Sequence, residues 1–221
     1  KFMADKVVIT AALSGSWGYK DSNPNIPYAP KEFIDEAIRC EKEGAAVVHI
    51  QARKLDTGEP TMEKEFLQPI YEGIREKTNL LINLTTGINL KDYFISRGPG
   101  IRDFDPEIAS LNPGTMNFCL YNFRKQEFIM DEPYLNPIRL SMEFAEIMKE
   151  KKIKPELECF DIGHVSNTFW LEKKGLLEKP THYSIVFGVI GGIQFSLENL
   201  IAFKSSLPPD STWQAIGVAG N

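Results

Sequence analysis

The sequence predicts an α/β fold on a parallel sheet, and three observations predict it. Short runs rich in Val, Ile and Leu alternate with amphipathic helical runs along the chain. The alternation recurs about every 30 residues, the size of one strand–helix–strand unit. Several strands also carry polar residues towards their C-terminal ends, where parallel barrels build their sites. Two arrangements fit these observations: an open doubly wound sheet and an eight-fold (β/α)8 barrel, the TIM-barrel class.

The elements follow in order. Residues 6–13 (KVVITAAL) read as a first strand, and 29–44 (APKEFIDEAIRCEKEG) as an amphipathic helix stopped by Gly44. Residues 45–53 (AAVVHIQAR) are a second strand and 62–77 a helix with Pro69 inside it. Residues 79–87 (NLLINLTTG) form a third strand. The first half of 107–118 (EIASLNPGTMNF) forms a fourth, and a helix starts near Asn136. Residues 154–161 (KPELECFD) are a fifth strand and 164–177 a helix. Residues 182–192 (HYSIVFGVIGG) are a sixth strand, 196–207 a helix, and 212–221 (TWQAIGVAGN) a seventh strand. A barrel needs eight strands. The barrel reading therefore expects one domain over 1–221, with the eighth strand and C-terminal helices absent from this chain.

Composition narrows the function classes. The chain has 221 residues, 43% hydrophobic and 25% charged, enough for a sizeable core. The net charge of −5 is spread out, and no basic run points to nucleic acid. No apolar run approaches the roughly 18 residues of a membrane span. Cys40, Cys119 and Cys159 are odd in number and widely spaced. They fit reduced thiols and a cytoplasmic location. The segment after the first strand, with Gly15 and Gly18, leads into a proline-rich loop. It lacks the Gly-x-Gly-x-x-Gly of dinucleotide binding, which argues against a nicotinamide oxidoreductase.

Successive strand residues point to opposite faces. His49, Gln51 and Arg53 therefore share a face, as do Asn83 with Thr85, Ser110 with Asn112, and Glu156 with Glu158. Plainer roles weigh against each: a lone strand histidine is more often a bonded core residue, and paired glutamates can face solvent at an edge. A buried carboxylate needs a partner, and Arg53 is the expected one. His164, near a helix start, is expected to cap or pack; His182 to be structural; Trp170 and Trp213 to be core.

The stretches 9–15 (ITAALSG), 23–53, 56–61 (DTGEPT), 82–87 (INLTTG), 106–118, 154–164 (KPELECFDIGH) and 186–192 (VFGVIGG) together resemble the β-keto acid cleavage enzymes. They span nearly the whole chain. The resemblance implies a TIM barrel and a metal-dependent enzyme, of homo-oligomeric habit. A β-keto acid and acetyl-CoA, its co-substrate, would become acetoacetate and a new acyl-CoA in an acyl transfer that breaks and forms C–C bonds. It implies a divalent metal, zinc above all, held by a His-x-His pair; here His49 matches the first ligand and Gln51 stands at the second. A third ligand, a glutamate, would lie beyond Asn221. Arg53 and Glu158 match catalytic positions, and Thr85, Ile88 and Ser110 substrate-binding ones. Asn112, beside them, is expected to orient substrate. Trp17 stands where some members carry a glutamate for a substrate amino group, which implies a keto acid without one. Since an amide oxygen is a poorer zinc ligand than imidazole, weak metal binding is expected. The alternative is a metal-free, non-catalytic ligand-binding barrel.

Overall fold

A computed structural model describes residues 7–16, 18–88, 96–122 and 124–218. Its frame is a curled seven-stranded sheet. The strands are β1 (Thr10–Ala12), β2 (Val47–Ile50), β5 (Leu81–Leu84), β6 (Ile108–Leu111), β9 (Lys154–Cys159), β10 (His182–Phe187) and β11 (Thr212–Gly217). They lie side by side in that order, and every pairing is parallel. This is the strand succession of a (β/α)8 barrel over seven strands. The expected fold class is borne out.

The crossover helices bury one face each. Helices α1 (Pro30–Lys42) and α2 (Lys64–Lys77) put Phe33, Ala37, Leu67, Ile70 and Ile74 against Val48, Ile50, Ile82 and Leu84. Helices α4 (Ile138–Lys151), α5 (Ile162–Lys173) and α6 (Leu197–Ser206) cover β6, β9 and β10. There Phe144, Met148, Leu171 and Phe203 meet Leu111, Leu157 and Ile185. A short helix, α3 (Pro99–Arg102), lies between β5 and β6. Pro69 sits inside α2 without ending it. Among the described residues no helix is long and apolar enough to cross a membrane.

Two small antiparallel pairs depart from expectation. The run 45–53 does not stay one strand. β2 ends at Ile50, and Ala52–Arg53 forms β3, paired with β4 (Pro60–Thr61) in a separate hairpin. Beyond β6 the chain forms β7 (Met116–Asn122) and β8 (Glu127–Tyr134), a hairpin that the sequence pattern does not assign. It folds over the C-terminal ends of the barrel strands. Met116, Phe118 and Tyr134 pack there on Phe160, Val186 and Val189. Cys119 N–H donates to Ile190 O at 3.1 Å, stitching the hairpin to the loop after β10. Gly191, at φ +98°, permits this approach, since a Cβ there would lie 2.1 Å from Asn117 O.

Trp170 and Trp213 are 48% and 41% exposed and are not core. His164 is buried in α5 and accepts from Phe160 N–H at 3.2 Å, while Asp161 caps that helix. The three cysteines are free thiols.

Candidate active site

The inward face of the barrel is polar in two layers. In the lower layer Glu156 is buried and accepts three hydrogen bonds among the described residues. It accepts from Ser184 Oγ at 2.5 Å, from Gln214 Nε2 at 2.6 Å and from Asn83 Nδ2. His49 lies opposite Asn83 in the β2–β5 register and belongs to this layer. Burial lowers its proton affinity, and the charge of Glu156 and the Asn83 amide offset that only in part. His49 is therefore neutral near pH 7.

The upper layer opens at the mouth. A cavity of about 170 Å3 is lined by Ser16, Gln51, Thr85, Gly87, Tyr134 and Glu158, and roofed by Phe118 and Phe160. The inward alternation thus brings Gln51, Thr85 and Glu158 to one place. Gln51 is held at both ends of its amide. Ser16 Oγ donates to its Oε1 at 2.7 Å, and its Nε2 donates to Thr85 Oγ1 at 3.4 Å. Asn112 is buried, and neither Oδ1 nor Nδ2 closes a hydrogen bond among the described residues. Its Nδ2 stands near Gly87: a Cβ on that glycine would lie 2.9 Å from Tyr134 Oη, 3.5 Å from Thr85 Oγ1 and 3.9 Å from Asn112 Nδ2. The missing side chain leaves room for a ligand atom among three polar groups.

Glu158 is the group with the altered acidity. Burial and the charge of Glu156 raise its pKa to about 8, while the Asn112 amide and the Arg97 guanidinium pull the other way less strongly. Tyr134 is pushed up to about 12, chiefly by burial.

Other expected site residues fall elsewhere. Ser110 is fully buried beneath the mouth, its Oγ accepting from Thr86 N–H at 2.9 Å. Ile88 packs against the α1–α2 core rather than lining the cavity. Trp17 lies outside the described residues. Arg53 does not pair with Glu156 or Glu158. The break in the strand at Gln51 takes it off the β2 face, and it donates to Gly58 O at 2.6 Å and to Gly15 O. The rings of Tyr19 and Tyr28 flank it, 5.4 and 5.9 Å from its Cζ.

The cation that acts on Glu158 is Arg97, which the strand pattern does not single out. It is fully buried and donates to Thr86 O (2.6 Å), Leu135 O (2.9 Å), Asn136 Oδ1 (2.6 Å) and Tyr134 Oη (3.4 Å). Its place in a Gly-, Arg- and Asp-rich connection gives no periodic signal. The one hint is a lone arginine beside the Gly-Pro-Gly of 98–100.

Comparison with known proteins agrees with this fold. A model of the β-keto acid cleavage enzyme family matches residues 6–221. The chain is 34% identical over 217 residues to the 3-keto-5-aminohexanoate cleavage enzyme of Fusobacterium nucleatum. It is 31% identical over 233 residues to the 3,5-dioxohexanoate:acetyl-CoA acetone transferase of Paraburkholderia graminis. Each match covers 98% of this chain and 75% of the relative. The ternary complex of ObcA with a C4-CoA adduct and oxalate superposes with a TM-score of 0.63 at 23% identity, over 75% of this chain and 38% of that one. The barrel order and a family match over nearly every residue agree: this chain belongs to the β-keto acid cleavage enzyme family.

Proposed function

We propose that the protein transfers the acyl group of a β-keto acid to the CoA sulfur of acetyl-CoA, releasing acetoacetate and a new acyl-CoA. The bond between the keto carbon and the methylene of the acid breaks. A bond between that methylene and the acetyl carbonyl carbon forms, and the CoA sulfur passes from acetyl to acyl. The acetyl-CoA-dependent activity for which the Paraburkholderia graminis relative is named supports this reaction class. The observation that carries it is the cavity itself, where polar groups and one raised-pKa carboxyl face a gap over Gly87.

Thr85, Asn112 and Tyr134 hold and orient substrate oxygens. Glu158, largely protonated at pH 7, carries a proton to or from the substrate carbon. Its raised pKa suits that exchange near neutrality. Phe118 and Phe160 exclude water from above.

The relatives' family implies a divalent metal, and the described donors do not fit one. His49 offers one imidazole. The Gln51 amide oxygen is neutral and already accepts from Ser16. Among the described residues no group of three His, Cys, Asp or Glu could hold an ion. Zinc favours imidazole, thiolate and carboxylate, a set these residues do not assemble. The neutral amide at residue 51, already engaged by Ser16, favours a second reading, a barrel that binds keto acids without turnover.

In this reading residues 1–221 form one barrel domain. The free thiols suit a cytosolic setting, and the exposed Phe169 and Trp170 of α5 suit assembly with further copies. The test is incubation of the protein with acetyl-CoA and a panel of β-keto acids carrying labelled methylene carbons. Labelled acetoacetate with a matching acyl-CoA is expected. Binding of a keto acid without any acyl-CoA would establish the second reading, and neither would sink both.

A further inference from the structure

We infer that Ser16 and Gln51 are positioning residues that fix the direction of the Thr85 hydroxyl, forcing its proton into the mouth cavity. The inference rests on the reading of Thr85 as a substrate contact.

Hydrogen-bond accounting carries it. A threonine hydroxyl has one proton to give and two lone pairs to receive. Thr85 Oγ1 accepts from Gly87 N–H at 2.9 Å and from Gln51 Nε2 at 3.4 Å. Both acceptor sites are filled, so the remaining O–H is a donor. Thr85 is buried, and the space it faces is the cavity. A donor left there without a partner is costly until an acceptor arrives, which selects for a ligand oxygen.

The amide can donate to Thr85 only if its oxygen faces the other way. The Ser16 contact matches that orientation, its Oγ donating to Oε1 at 2.7 Å. Ser16 is itself held. Its neighbour Ser14 donates from Oγ to Gln51 O at 2.6 Å, and Arg53 donates to Gly15 O from the next hairpin. Arg53 is 1% exposed, and its other anchor is Gly58 O. The order runs Arg53 to Gly15, Ser16 to Gln51, Gln51 to Thr85, Thr85 to ligand. Arg53, which has no carboxylate partner among the described residues, thus has a role of its own, because it pins the loop that carries Ser16.

The test is a double-mutant cycle on the whole chain, with Gln51→Met, Thr85→Val and the pair, read by calorimetric binding of acetoacetate. Each single change is expected to weaken binding about five- to tenfold, the scale of one hydrogen bond. Gln51→Met should have little further effect in the Thr85→Val background. Thr85→Ser, which keeps the hydroxyl, should restore affinity. Full additivity of the two changes, with folding intact by thermal unfolding, would overturn the inference. A second readout needs no ligand. The side-chain amide proton resonances of Gln51 should shift in both Thr85→Val and Ser16→Ala. No shift in Thr85→Val overturns the inference, and so does unchanged affinity in Gln51→Met with lost affinity in Ser16→Ala, the mark of a reversed amide. If the wild type fails to bind acetoacetate while the resonances respond, the substrate reading of Thr85 falls and the hydrogen-bond chain stands.

Discussion

Glu158 has its acidity set by what surrounds it, and that gives a signed pH dependence. Its folded pKa lies near 8, above the ordinary carboxyl value of 4.5, because burial and Glu156 disfavour the charge. Folding therefore favours the protonated form. The contribution is complete below about pH 4.5 and is lost as pH rises towards 8 and beyond. Glu158→Gln is expected to flatten the fall in melting temperature between these values, which thermal unfolding across pH would show. The same variant should cut turnover by roughly two to four orders of magnitude, the usual worth of a positioned proton carrier. Arg97, not Arg53, pulls on this carboxyl. Arg97→Gln is thus expected to move the alkaline limb of the activity profile to higher pH, whereas Arg53→Gln lowers turnover without moving it. A shift with Arg53→Gln would reinstate the carboxylate pairing that the strand pattern suggested. At Gln51, exchange for histidine adds a second imidazole two residues along the chain from His49. Zinc should bind the variant several-fold tighter than the wild type in calorimetric titration; equal affinities would mean that residue 51 stands away from any metal.

At the scale of elements, the sequence is most legible where burial is regular. The parallel strands announce themselves through Val- and Ile-rich runs, and alternation on β5, β6 and β9 correctly separates inward polar residues from the core. Alternation carries no depth, however. It cannot say that His49 and Glu156 lie a layer below Thr85 and Glu158, because depth depends on the stagger between strands. It also assumes an unbroken strand. The interruption at Gln51 sends Arg53 into a hairpin, and no residue in AAVVHIQAR marks that break. The β7–β8 hairpin is hidden for a different reason. Most of β8 is exposed and carries Pro133, so its pattern resembles loop more than strand. Its function lies in its base, where the Phe118 ring meets Tyr134 and Phe160 edge-on at centroid distances of 6.0 and 6.2 Å. Phe118→Ala is expected to cost about 3 kcal/mol of stability, measurable by urea unfolding, and to raise KM by letting water under the roof.

Over the whole molecule, the lower polar layer and the mouth divide the labour. Glu156 touches no part of the mouth cavity, yet its charge helps set the proton affinity of Glu158 two residues along the same strand. Among the described residues its neutral donors come from three other strands, β5, β10 and β11. The acid–base setting of the site is therefore held by the barrel as a unit, whereas substrate fit is held by loops and strand ends. The two properties can drift separately in evolution. A change beneath the floor, such as loss of one donor to Glu156, would retune the working pH of the enzyme and leave the shape presented to a keto acid as it was.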